Sequence, residues 1–430
     1  MSVKAESTTE HDHRGNKRRA PSKLRSRKMS VFLGVAVLVL VASVVVQAKG
    51  VNAGDGNVVR KNTVAHSSSI SEFPNGRVDA AEPSGEAPPS PTGFPGYVET
   101  YENDFTGTTI PPGWVTFGGT DSLDPDTGEQ FAATHDVVGD GVLSLNTWMD
   151  PAYGNEWVTG GICLCQDSKL YGAYFVRSRQ TGPGPTGVDL LWPTSNTWPP
   201  EIDFNETVGV TNATTATVIW GDAGGQRQQR QLALNIDMTQ WHTWGVVWTP
   251  TSILYTVDGK VWGQFDVPSE IPTVPMTMRV QTQTWCTYNY ACPTSPQSTL
   301  VDWVAEYSAA ANYTKSVGTF ASSSWAINTK LQTQIAELAA VIDAQGDSSV
   351  DLVGYSDSKT AASKASVVSQ NRAERVRSFL LSDLEQLNDD DVAISVTSAK
   401  TENPSTFTST PAWRARNATV VVTMHSTTAG

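Results

Sequence analysis

Charge is scarce in this sequence, and what there is leans to one sign. Charged residues make up 17% of the 430-residue chain, with 30 Lys and Arg against 43 Asp and Glu, a formal net charge of −13. Neutralising nucleic-acid phosphates takes basic residues in excess, so nucleic acid is excluded as a partner. Hydrophobic residues reach 39%, and a chain this apolar packs into domains. Cysteine is rare: Cys163, Cys165, Cys286 and Cys292, in two close pairs. No CxxC occurs and no His stands at zinc-ligand spacing, and no metal or organic cofactor is required. An exported chain would oxidise the four thiols. Cys286 and Cys292 could close a short loop. Cys163 and Cys165 lie on one strand face and pair less easily with each other, and all three connectivities stay open. Internal repeats are absent. Tryptophan, by contrast, occurs 14 times. A core needs only a few, so a groove that stacks aromatic faces on sugar rings competes with a Trp-rich core as the explanation.

Residues 1–28 are basic, with Arg14, Lys17, Arg18, Arg19, Lys23, Arg25, Arg27 and Lys28. Met29 to Ala48 then carries no charge, and a run of about 20 such residues spans a bilayer as one helix. The positive-inside rule leaves the basic tail in the cytoplasm and the rest outside. Val46-Gln47-Ala48 also offers a signal-peptidase site. The segment is therefore an anchor or a cleaved signal, and the chain is expected to be membrane-anchored, or secreted and wall-associated. Residues 49–94 are rich in Ser, Pro and Gly, and Ala81 to Pro91 reads as an extended, disordered tether.

Over 95–310 short β-rich runs alternate with turns: Gly141–Thr147, Gly172–Arg179, Trp241–Trp248, Ile253–Val257 and Met276–Thr282. Asp258-Gly259 marks a tight hairpin. The pattern predicts an all-β sandwich. Over 318–425 the period changes. Helical spacing at Leu331, Ile335, Leu338 and Ile342 and a second helix over Ala361–Leu380 alternate with strands at Val350–Gly354, Val392–Ser398 and Ala418–Met424. That order gives a small α+β domain.

Three acids fall within six residues of the β-rich region, at Glu201, Asp203 and Glu206. On a strand, residues i and i+2 share a face, so Glu201 and Asp203 point one way while Ile202 and Phe204 enter the core. Glu206 falls on the wrong face unless a β-bulge adds one residue. A row of crowded carboxylates cannot ionise throughout, so one keeps its proton. A carboxylate beside a carboxylic acid is the equipment of retaining glycoside cleavage. A solvated strand face or a calcium site is the plainer alternative.

Glu201-Ile202-Asp203-Phe204-Asn205-Glu206 resembles the bulged E-x-D-x-x-E signature of glycoside hydrolase family 16, in its laminarinase-like form. Leu190-Leu191-Trp192-Pro193, Trp198-Pro199-Pro200, Tyr171-Gly172 with Arg177, His242 to Pro250 with Tyr255 to Gly259, and Val301 to Val304 resemble the family's other blocks. The resemblance implies a β-jelly-roll with an open cleft and an endo-acting retaining β-glycosidase. It implies Glu201 as nucleophile, Asp203 as its helper, Glu206 as acid/base, and a polysaccharide substrate with β-1,3-glucan as the lead. Transglycosylation would share the same intermediate. Trp192, Trp198, Trp220 and Arg177 are the substrate-binding candidates. Where many members carry T-x-H, this chain has Thr217-Val218-Ile219. Four glycosylation sequons, the first at Asn205, are read as chance.

Val353-Gly354-Tyr355-Ser356-Asp357 and Ser369 to Val376 are similar to the OmpA-like peptidoglycan-binding domain. By that resemblance Asp357 and Arg372 grip the diaminopimelate of a wall peptide, a zwitterion that needs one acidic and one basic partner. The family's closing arginines are absent at Asn417-Ala418-Thr419-Val420. Two other readings compete with the enzyme: a catalytically inactive glycan- or wall-binding protein, and a structural tether in which the sandwich is a spacer.

Overall fold

The computed structural model describes residues 73–118, 129–285, 292–346, 348–357, 360–387, 392–399 and 418–427. The 1–28 tail, the 29–48 segment, the start of the tether, Cys286 and residues 401–411 lie outside them. No described helix is long and apolar enough to cross a membrane.

Two sheets pack face to face. The larger runs in the order Lys260–Phe265, Ile253–Val257, His242–Trp248, Gly172–Gln180, Gln297–Ala309, Val142–Asp150, Glu156–Thr159 and Gln130–Phe131, with Tyr97–Asn103 and Asp136–Gly139 paired off this path. The smaller runs Arg227–Leu234, Thr214–Gly221, Glu201–Glu206, Thr186–Pro193, Met276–Gln283, Gly161–Cys163 and Val115–Thr116. Strand alternation supplies the core between them. Tyr174, Val176, Trp244, Val246 and Trp248 come from one sheet, and Leu191, Ile202, Phe204, Ala216, Val218, Met276, Met278 and Val280 from the other. The expected all-β sandwich is present, and several of its Trp are core residues. Asp258 and Gly259 have φ of 49° and 75°, the left-handed pair that a two-residue hairpin turn requires. His242 Nδ1 holds Asp258 Oδ2 at 2.8 Å, so the His-to-Asp-Gly block is a brace for this turn.

Two expectations need correction. Residues 73–94 are not a free tether. Arg77–Val78 pairs with Glu86–Ala87, and Phe73 and Phe94 join Ala173, Phe175, Val247, Leu254, Trp303 and Tyr307 in a second apolar cluster on the outer face of the larger sheet. That face carries too much apolar surface to stay open, which is why it is strapped. Pro-rich composition indicated an extended backbone but not what it lies against. Secondly, Cys163 and Cys165 form a disulfide with Cα atoms 5.0 Å apart. The strand ends at Cys163 and the chain turns, so the pair is closer than the roughly 6.6 Å of two extended residues and within bridging range. Cys292 is disulfide-bonded as well.

The C-terminal domain is a four-stranded sheet, Asn312–Gly318, Thr419–Ser426, Ser348–Gly354 and Ala393–Ser398, the last two parallel. Helices α1 (Thr329–Gln345) and α2 (Ala362–Leu387) bury one face of it. Asn328 caps α1 by accepting from Leu331 N at 3.0 Å. Helix α2 runs past the expected Leu380 because Leu384 keeps the buried period. Ala309 is followed within three residues by Asn312, and the last turn of α1 touches the sandwich. Gln345 Nε2 donates to Gly96 O, and Tyr97 Oη to Ala344 O.

Candidate active site

The acid row lies on an inner strand of the smaller sheet. Asp203 pairs with Thr217, but Glu206 pairs with Thr215, across a register shift. On the other side Leu190 pairs with Asp203 and Asp189 with Asn205, so the extra residue is at Phe204–Asn205. Thr215 and Thr217 share one face of their strand, so Asp203 and Glu206 share that face although three residues apart. Glu201 lies opposite Ile219 on the same face. The sandwich interior fixes the bulge: Asn205 Nδ2 donates to Asp189 Oδ2 at 2.8 Å, Thr214 Oγ1 to Asn205 Oδ1 at 2.7 Å, and Ser178 Oγ to Asp189 Oδ2 at 3.3 Å. Asn205 is 2% exposed, which leaves no room for a glycan at the first sequon.

The three carboxyl groups differ in environment. Burial pushes all three upward. Asp203 rises furthest, since burial is joined by the charges of Glu201 and Glu206 and by a hydrogen bond with Glu201. Glu206 is pushed up to about 7 by burial and the Glu201 charge, against Thr215, whose Oγ1 lies 3.3 Å from Glu206 Oε2. At Glu201 burial is opposed by Trp198 Nε1, donating at 2.7 Å, by the bond with Asp203, and by the charges of Arg227 and Arg279. The arrangement favours an ionised Glu201, a protonated Asp203 that donates to it, and a Glu206 that gains and loses a proton near neutrality. Among the described residues no group of His, Cys, Asp and Glu is arranged to hold a metal ion.

The other candidates divide. Trp192 stands two residues from Leu190, hence on the acid face, and Trp198 touches Glu201. Trp220 is in phase with Ala216 and Val218 and packs against the core, so the cleft face there belongs to Thr217 and Ile219. Arg177 lies on the larger sheet, facing the strap. It pairs with Glu86 at 2.9 Å, donates to Ser84 Oγ at 2.6 Å and to Thr243 Oγ1 at 3.0 Å. Its place in a sequence block hid the fact that it serves the opposite face. Arg227 and Arg279 were missed. Arg279 is in phase with Thr277 and Gln281 against the buried Met276, Met278 and Val280, an alternation that could have placed it in the cleft. It pairs across the sheet with Leu190 and with Cys163, so the Cys163–Cys165 bridge borders the same face.

In the C-terminal domain Asp357 and Arg372 do meet, at 3.3 Å, with side chains 4% and 0% exposed. Arg372 also donates to Ser324 O, Tyr355 O and Ala321 O, so the pair ties together the loops around it. Gly354 is needed there because a Cβ would lie 1.9 Å from Ser369 O of α2.

The row of three carboxylates therefore runs along one inner strand of a two-sheet sandwich. Residues 131–305 match the family model of the glycosyl hydrolases family 16, and residues 319–418 match that of the OmpA family. A 91-residue segment is 31% identical to the endo-1,3-1,4-beta-glycanase ExsH and 35% identical to the endo-1,3-1,4-beta-glycanase EglC, both of Rhizobium meliloti (strain 1021). That segment is 21% of this chain and spans 19% of either relative. Among solved structures, the laminarinase from Rhodothermus marinus is 20% identical with a TM-score of 0.44, over 50% of this chain and 98% of that one. The catalytic domain of an endo-1,3-beta-glucanase from Thermotoga petrophila RKU-1 is 16% identical with a TM-score of 0.42, over 49% and 97%.

Proposed function

We propose that this chain is an endo-acting β-glycanase that cleaves by retaining double displacement. The observation that carries the reading is the bulge that turns Glu206 onto the face of Glu201 and Asp203. Glu201 attacks the anomeric carbon, the glycosidic C–O bond breaks, and Glu206 gives its proton to the departing oxygen. Water then enters. Glu206 takes its proton, the hydroxide oxygen bonds to the anomeric carbon, and the Glu201 ester bond breaks. Asp203 donates to Glu201 throughout and limits its charge. A β-1,3- or mixed-linkage glucan is the favoured substrate, supported by the names of the two rhizobial relatives. We further propose an extracytoplasmic position, membrane attachment through the 29–48 segment, and peptidoglycan contact through the C-terminal domain.

Reducing-sugar release by the full chain on laminarin, mixed-linkage β-glucan and a galactan, beside Glu201→Gln, tests the activity. Cleavage of one polymer by the wild type alone supports the reading. Binding without cleavage by either chain replaces it with the inactive glycan-binding protein. Sedimentation with isolated peptidoglycan, and its loss in Asp357→Asn, tests the second module.

A further inference from the structure

Two guanidinium groups flank Glu201, and neither makes an ion pair among the described residues. Arg227 extends over Trp198, its Cζ 4.9 Å from the ring centroid, and Nη2 donates to Gln229 at 2.6 Å. Arg279 lies between two rings, 5.0 Å from Trp192 and 5.7 Å from Phe117. Its Nη2 donates to Asn196 at 2.8 Å, while its buried Nε has no hydrogen-bond partner among the described residues. The Arg227 strand is two places from the Glu201 strand on one side, and the Arg279 strand two places on the other. At about 4.8 Å between strands, each lies roughly 10 Å from the acid row. A glycan lying across the strands passes one cation on each side of the bond to be cut.

A neutral glucan gives these groups only hydroxyls. A guanidinium spread on an aromatic face keeps its N–H edge free for planar, two-point binding of a carboxylate. It also covers one face of Trp192 and of Trp198, which removes that face from sugar stacking. In a chain of net charge −13, two arginines in the cleft offset part of the repulsion an acidic polymer would otherwise meet. We infer that the cleft is built for a glycan carrying carboxylate substituents, with Arg227 and Arg279 as specificity residues on either side of the cleavage point. This inference rests on the glycanase reading above.

The test compares laminarin with carboxymethyl-laminarin of matched length, using the full chain. The expected result is a higher kcat/KM on the charged polymer, and a preference that shrinks as sodium chloride rises to 0.5 M. Arg279→Gln should cut that preference by about tenfold, as for a charge-assisted bond in a half-buried site. Arg227→Gln, on an exposed strand that tolerates change, should cut it about threefold. Equal or better use of plain laminarin overturns the inference, as does a preference that neither substitution alters. If both arginines serve only the charge of Glu201, both polymers lose activity equally and the ratio stays fixed, which also overturns it. If neither polymer is cleaved, the glycanase reading fails alone. Binding of the two polymers to Glu201→Gln then decides the charge preference on its own.

Discussion

Glu206→Gln should abolish turnover and yet make the protein more stable. An exposed Glu titrates near 4.5, and in the cleft this one is pushed up to about 7. Below pH 4.5 the carboxyl is neutral in both folded and unfolded chains and contributes no difference. As pH rises toward 7 the unfolded chain ionises freely while the folded chain resists, so folded stability falls until both are ionised. At about 1.4 kcal/mol per pH unit the full penalty above pH 7 is about 3 kcal/mol. Glu206 is partly open to the cleft, and solvent screening brings this nearer 2 kcal/mol. Glutamine keeps the shape, accepts from Thr215 and carries no charge, so it escapes the penalty. Urea unfolding of wild type and Glu206→Gln at pH 5, 6, 7 and 8 reads this directly. The gap should be only about 0.5 kcal/mol at pH 5 and widen to about 2 kcal/mol at pH 8. A gap that does not grow with pH, or a variant weaker than wild type at pH 8, would refute the reasoning.

Other perturbations act elsewhere. Glu86→Ala leaves the Arg177 guanidinium without its counter-charge under the strap and should cost about 3 kcal/mol in urea unfolding. Phe94→Ala opens the outer cluster, where Phe94 stacks on Tyr97 with centroids 4.2 Å apart, and should cost about 3–5 kcal/mol by the same measurement. Gly354→Ala drives a methyl into the α2 backbone and should cost about 3 kcal/mol, read as loss of the helical signal on heating. Asn328→Ala removes the α1 cap and should cost only about 1 kcal/mol, with the glycanase cleft unaffected.

The sequence revealed most where a residue's neighbours in the chain determine its role. The bulge followed from the parity of Glu201, Asp203 and Glu206, and the hairpin from Asp258-Gly259. Parity also places Trp220, which counts with Ala216 and Val218, on the core face. Arg177 could not be assigned from its strand alone. Its face is decided by Glu86, some ninety residues earlier in a segment whose composition resembles a free linker. The disulfide stayed open for a related reason: two cysteines on one extended strand face are too far apart to bridge, and the strand stops at Cys163 because the chain turns after Leu164, whose carbonyl accepts from Asp167 N. What escaped reading is contact between distant segments, and it includes the two arginines on which the charge of the cleft depends.

The short passage from Ala309 to Asn312 has a mechanical meaning. The Gln297–Ala309 strand lies inside the larger sheet, bonded to Gly172–Gln180 on one side and to Val142–Asp150 and Tyr97–Asn103 on the other. A pull on the C-terminal domain therefore enters the sandwich along the axis of an interior strand. Load applied in that direction shears many ladder bonds together instead of peeling them one at a time. With α1 also gripping Gly96, the junction transmits force as a stiff coupling, and a load-bearing attachment at either end would strain the sheet before it could swing the domains.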